Sequence, residues 1–307
     1  MKKGASFLAA VWIVFFLTLK PASGADVAGE YPHEGGNALN ELMRSLVEGK
    51  TFDKALYGLE GNYEVVEEVS AKLEEDGAAD RVRLVALRHE DGVYDRGLIL
   101  EIIPHEANET HEKAEKKSFI IALPDDVRGF QSSITVKNFI SREKSEILLT
   151  VNSGRRGDRF LIIAVADERG EVILDTHTTK IPTIAGRFFN NYRSEIIVRE
   201  TGERAMIYLS SRKADYNRRL VYNESGTLRS GVVVWVDQLS LFELIDVDHD
   251  GIFEIRKVMD LSGLGRVDRI AYVEAVLKYA RGEWTVIDSW IAPAEDLRKM
   301  APPIRIN

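Results

Sequence analysis

The chain has 307 residues, with 49 Asp and Glu against 41 Lys and Arg and a net charge of −8. That acidic balance argues against binding along a nucleic-acid backbone, which needs a surplus of Lys and Arg. Cysteine is absent, which excludes disulfide scaffolds, thiol nucleophiles, zinc–thiolate sites and lipidation on cysteine, and leaves packing or a metal to hold the fold.

The first 25 residues have the layout of a secretory signal peptide. Lys2 and Lys3 form a positive start, Phe7 to Leu19 an apolar run, and Ser23-Gly24-Ala25 a small-residue cleavage site. The run is short of the roughly 20 apolar residues that span a bilayer. An uncleaved N-terminal anchor is the alternative, and Lys20 and Pro21 speak against it. Cleavage after Ala25 removes three lysines and no acid, leaving 282 residues with a net charge of −11. The expected compartment is secreted, periplasmic or cell-surface, with no stable membrane span in the mature chain. Residues 26–36 read as a flexible start. One helical pattern follows over 37–50, where Leu39, Leu42, Met43, Leu46 and Val47 share a face behind Asn37 as cap. A turn-rich connector runs to residue 61.

From Tyr63 the texture is that of strands and turns. Runs such as "RVRLVAL", "GLILEII", "SEILLTV", "RFLIIAVA", "SEIIVRE" and "VVVWV" alternate with clusters of Gly, Asn, Asp and Ser. This predicts an all-β domain over 62–292, with a tail at 293–307. The stretch Val273 to Ala280 also tolerates a helix.

The most charged turn is "DVDHDGIFEI", Asp246 to Ile255. Used as a ruler, it finds weaker copies of itself, with loops near 72, 138, 187 and 246. Asn138 and Glu146 stand eight apart, as Asp246 and Glu254 do, and Glu195 precedes a strand in the same way. Glu74, Asp76, Gly77 and Asp80 fall on Asp248, Asp250, Gly251 and Glu254. Turn glycines at 92, 170, 226 and 282 follow the four loops in order. Repeats of roughly 50 to 65 residues, each of a few strands, fit the four-stranded blades of a propeller. A β-sandwich or irregular β-fold is the alternative.

Three aspartates at alternate positions repel one another, and a bound hard cation removes that penalty. Calcium takes 6 to 8 oxygens, and a tight loop supplies several from alternate residues. The expected ligands are Asp246, Asp248, Asp250, the backbone carbonyl of Ile252, and Glu254, with Gly251 allowing the sharp turn. An EF-hand needs a Glu at position 12, where this chain has Lys257. A weaker second set is Glu74, Asp76, Ala78 and Asp80, with Lys72 in place of the first aspartate.

The loop "D-V-D-H-D-G-I-F-E-I" resembles the calcium loops of FG-GAP/VCBS repeats, the propeller-like blades of many exported proteins. The resemblance covers most of residues 70–292, but one loop carries the complete motif. Ile140, Arg142, Phe189 and Asn191 stand where ligands would be in the two middle copies. It implies Ca²⁺ as structural cofactor and a small, open or incomplete propeller.

Other constellations are weaker. His105, Glu109 and His111 lie in a charged stretch that lacks the H-E-x-x-H spacing of zinc proteases. Arg156-Gly157-Asp158 is a three-residue adhesion motif in a turn. Nucleophile-elbow, P-loop and dinucleotide motifs are absent. Trp235, Trp284 and Trp290 could stack on a sugar, although Trp235 and Trp284 sit in strand patterns that suggest buried anchors. The expectation is an exported, non-catalytic binding or structural module. Its partner would be a protein or glycan at the cell exterior. The alternative is an extracellular carbohydrate-active enzyme on a propeller-like scaffold.

Overall fold

Burial patterns divide the strands into two kinds. In Arg193–Val198 every second residue is buried, as a strand with one covered face requires. In Glu146–Asn152 and Asp158–Ala166 the buried residues run almost unbroken, so something covers both faces. The computed structural model, which describes residues 52–74, 77–88, 94–105, 117–154, 157–229 and 231–294, shows what does. All of them lie in one of the chain's two units, Val47–Asn307.

The first sheet comprises β1 (Tyr63–Ala71), β2 (Asp80–Arg88), β3 (Tyr94–Ile103), β4 (Phe119–Ala122), β5 (Gly129–Lys137), β6 (Glu146–Asn152), β7 (Asp158–Ala166) and β8 (Arg169–Asp175). Their order is β1-β2-β3-β5-β6-β7-β8, with β4 paired to β3. The seam between β3 and β5 is two register pairs long, Tyr94↔Phe130 and Asp95↔Gly129. Across it the sheet folds over on itself. Val82, Leu84, Leu98 and Leu100 of the first four strands share a core with Ile147, Leu149, Leu161 and Ile163 of the next four. A carboxylate ties the fold-over, because the Ile134 amide of β5 donates to Glu67 of β1 at 2.7 Å.

The second sheet is β9 (Ile184–Phe189), β10 (Arg193–Val198) and β11 (Arg204–Tyr208), followed by one short helix, α1 (Lys213–Arg218). The third is a four-stranded meander of β12 (Trp235–Ile245), β13 (Glu254–Ser262), β14 (Arg269–Ala280) and β15 (Glu283–Pro293). One face of β13 and β14 meets two neighbours. Toward one end Ile255, Ala275, Leu277 and Trp284 pack on Phe139, Leu148, Ile162 and Leu174. Toward the other, Met259, Leu261, Ala271 and Val273 pack on Phe188, Ile196, Ile207 and Tyr216. The β6–β7 pair is therefore a middle layer between the first four strands and the third sheet. Fully burying each such Ile or Leu contributes about 1.5–3 kcal/mol.

The all-β expectation holds, and Val273–Ala280 is strand, part of β14. The run "VVVWV" enters a strand only at Trp235. Gly282, with Arg281, makes a tight turn at positive φ between β14 and β15. Gly170 does not make its turn: Asp167 and Glu168 do, at φ 50° and 58°. Gly170 is glycine because a Cβ there would lie 2.5 Å from the Ile121 side chain. The signal peptide, the 37–50 helix, Gly92, Asp76, Glu109, His111, Arg156 and residues 295–307 lie outside the described residues. Among the described residues no helix is long and apolar enough to cross a membrane.

Lys257, the residue that rules out an EF-hand, is buried in β13 at 5 % exposure. Its ammonium donates to the Ile181 carbonyl at 2.7 Å, and burial pushes its pKa down to about 8. Between that value and the ordinary lysine value, the unfolded chain holds a proton that the folded chain has released. Stability therefore rises with pH across that window. Urea unfolding of the wild type should gain about 2 kcal/mol from pH 7.5 to 9.5 relative to Lys257→Met. Parallel pH profiles for the two proteins would refute the assignment.

Candidate functional site

The acidic loop joins β12 to β13, and its local hydrogen bonds follow from its sequence. Asp246 accepts the amides of Asp250 and Gly251 on its two oxygens, each at 3.0 Å. Asp250 accepts the Ile252 amide at 2.7 Å. These bonds wind the chain into a tight turn, with His249 at φ 57° and Gly251 at φ 78°, where glycine costs least. Glu254 opens β13 with its carboxylate 1 % exposed. Its Oε2 accepts the Val247 amide at 3.0 Å and so closes the loop.

Oxygens of Asp246, Asp248 and Glu254 lie within 4.8 Å of one another. Asp250 is not in that group but joins it as the third and longest contact of a lysine that the sequence pattern did not reveal. Lys278 of β14 places its ammonium 2.7 Å from Glu254 Oε1, 3.1 Å from Asp248 and 3.6 Å from Asp250. The Glu254 contact is an ion pair without hydrogen-bond alignment, so that oxygen has Lys278 as its partner. Contact with Glu254, before that with Asp248, pushes the Lys278 pKa up, and Lys278 holds the Asp248 carboxyl below its ordinary value. Lys278 lies one register step beyond the pair Ile255↔Leu277. It becomes visible only once β13 and β14 are aligned.

The loop at 138–146 has the same closure without the aspartates. Glu146, 1 % exposed, accepts the Phe139 amide at 2.7 Å and the Ile140 amide at 3.2 Å. Phe139 and Val247 are both seven residues before their glutamate. At the head of this loop Asn138 takes the place of an aspartate and bonds the Arg142 carbonyl and the Ser145 hydroxyl. Burial raises the Glu146 pKa.

The loops are also latched to one another. The Phe253 amide donates to the Asn138 carbonyl at 2.7 Å, and the Ser145 amide donates to the Lys72 carbonyl at 2.6 Å. In each case the eighth residue of one loop bonds the first residue of the loop before it. Arg142 reaches to within 4.0 Å of the position a Gly251 side chain would take. The stretch at 187–195 is different. Arg187 and Glu195 are cross-strand partners in the β9–β10 hairpin and form an ion pair at 2.9 Å. Their separation of eight is hairpin geometry, not loop closure.

Of the weaker metal set, Glu74, Ala78 and Asp80 are among the described residues and Asp76 is not. Ala78 is exposed, and Asp80 accepts the His105 amide at 3.0 Å. Glu74 and Asp80 both line a cavity of about 390 Å³, with Asp167, Glu168, Leu73 and Phe119. No tryptophan is among its described lining residues. Trp284 is buried, edge-on to Phe139 and Tyr279. Trp290 is half-buried, and Trp235 is 60 % exposed, contrary to the buried anchor expected of it. Its strand begins at Trp235 itself, at a sheet corner.

Fold and loop together define an all-β protein of antiparallel sheets with an acidic, lysine-filled strand connection. Residues 182–292, from the start of β9 almost to the end of β15, match the family model described as the YybI C-terminal domain. A 93-residue segment, 30% of this chain, is 29% identical to the uncharacterized protein YybI of Bacillus subtilis (strain 168). It covers 35% of that relative, so the similarity spans about a third of the relative's length. No solved structure gives a significant match. The matched region contains the acidic loop, Lys257 and Lys278, and the whole core shared by the second and third sheets.

Proposed function

We propose that this chain is an exported, non-catalytic binding or structural module whose β-repeat fold is fastened by calcium. The observation that supports it best is the acidic loop itself. Hard oxygen donors converge within 4.8 Å of one another, and the loop is latched onto its predecessor. The donor set suits Ca²⁺ in kind: carboxylates, no nitrogen and no sulfur. Asp246, Asp248, Asp250 and Glu254 would hold the ion, joined by the Ile252 carbonyl. Bound calcium would offset half the charge of the four carboxylates. Fixing the loop in turn fixes Phe253, whose amide holds Asn138.

The propeller-like reading draws support from the strand grouping. Four strands stand on either side of the β3–β5 seam, three form the second sheet and four the third. The latched loops at 72, 138 and 246 recur at matching positions of the first, second and fourth groups. On this reading the exposed faces meet a protein or glycan outside the cell, and the metal takes no part in a reaction.

One experiment addresses export and calcium together. Protein recovered outside its host cell should begin at Asp26 by N-terminal sequencing. Extracellular calcium modules bind at about 10⁻⁴–10⁻³ M. On that scale 10 mM calcium stabilises by about 2 kcal/mol and raises the melting temperature by roughly 4–8 °C over chelator. Asp250→Ala should abolish that shift. An unprocessed N-terminus defeats the export half. A melting temperature indifferent to calcium in the wild type defeats the metal half.

A further inference from the structure

We infer that Lys278 is the loop's built-in cation, seated so that a divalent ion enters only by displacing it, and is therefore the residue that sets the loop's metal affinity. This rests on the calcium reading of the same loop. The geometry is specific. The ammonium contacts Glu254, Asp248 and Asp250 at 2.7, 3.1 and 3.6 Å, and two of those residues belong to the group whose oxygens converge within 4.8 Å. A calcium ion drawing on the same carboxylates would stand within a few ångströms of the ammonium. Two positive charges at that distance repel strongly where water is sparse, and Glu254 is 1 % exposed.

The side chain is built to leave. Lysine is a point charge on a flexible four-carbon stem, and the Lys278 side chain is 26 % exposed, so a change of rotamer frees the site. The backbone beneath it is fixed, because Leu277 is fully buried and Tyr279 packs on Trp284. Exchange of one cation for another therefore needs no movement of β14. Without metal, the lysine relieves part of the repulsion among four carboxylates and keeps the loop folded. With metal, its departure is a fixed cost subtracted from the affinity. The Asn138 loop shows the other solution, a neutral residue at the head and, among the described residues, Lys144 acting on its glutamate at a distance and not as an ion pair.

The test is calcium titration by calorimetry on the full chain, wild type against Lys278→Met and Lys278→Arg, with melting curves in chelator. Lys278→Met should bind calcium at least tenfold more tightly than wild type and melt lower in chelator. Lys278→Arg, which keeps the charge, should bind no more tightly than wild type. If Lys278→Met and wild type bind with equal affinity, the inference falls and the calcium reading stands. If none of the three binds up to 10 mM, the calcium reading falls and takes the inference with it. Should Lys278→Met fail to fold in chelator, Lys278→Gln, which retains polarity, carries the same comparison.

Discussion

Phe139→Ala is expected to cost about 3–5 kcal/mol, the range for a fully buried aromatic truncated to alanine. Phe139 is 0 % exposed. It sits edge-on to Trp284 with ring centroids 6.0 Å apart, in the core where the β6–β8 layer meets the third sheet. Its own amide is held by Glu146, so the backbone cannot follow the lost ring into the gap. The remaining cavity adds to the lost transfer energy. Urea unfolding monitored by tryptophan emission reads both the stability and the environment of Trp284. A loss below 1 kcal/mol would mean that the two layers do not depend on this contact.

Arg159→Met is expected to cost a similar 3–5 kcal/mol, for an electrostatic reason. Arg159 and Asp175 are buried together, joined by two hydrogen bonds at 3.0 and 2.7 Å, and the same guanidinium bonds Asp126. Burial would raise the Asp175 carboxyl, but Arg159 and the His177 amide together hold it below its ordinary value. Removing the arginine leaves a buried carboxylate without its charge partner, which costs more than the pair contributes. Arg159→Met with Asp175→Asn should therefore be less damaging than Arg159→Met alone. Because the Asp175 pKa is depressed in the fold, its contribution is present above the unfolded value near pH 4. It is lost as pH falls through the folded value. The wild type should lose stability below pH 4 more steeply than the double variant. A double variant as unstable as the sum of the two single ones would deny the coupling.

The strand content was legible because each buried strand needs an apolar run of the right length, and turn residues mark the ends. The acidic loop was legible because its hydrogen bonds are local: every bond that winds it joins residues within eight positions. Lys278 was not, because it reaches Glu254 through a strand register that no local pattern encodes. The stretch at 187–195 misled for a related reason. A separation of eight residues arises from a closed loop and from a hairpin alike, and only pairing tells Arg187–Glu195 from Asn138–Glu146. Trp235 looked buried because its neighbours are apolar. Yet the strand begins there, and Val233, Trp235 and Val236 are all exposed. The Arg159–Asp175–Asp126 cluster joins residues 16 and 33 apart and left no trace in spacing.

The latches between loops also have a direction in time. In both, the carbonyl that accepts lies earlier in the chain than the amide that donates: Lys72 before Ser145, Asn138 before Phe253. A chain emerges from the ribosome N-terminus first, at roughly 5–20 residues per second. Each new donor therefore appears several seconds after its acceptor has been made. The first four strands share their core with the strands that flank Ser145, so the first latch belongs to the same packing step as that core. Neither latch can close before its later residue has been made.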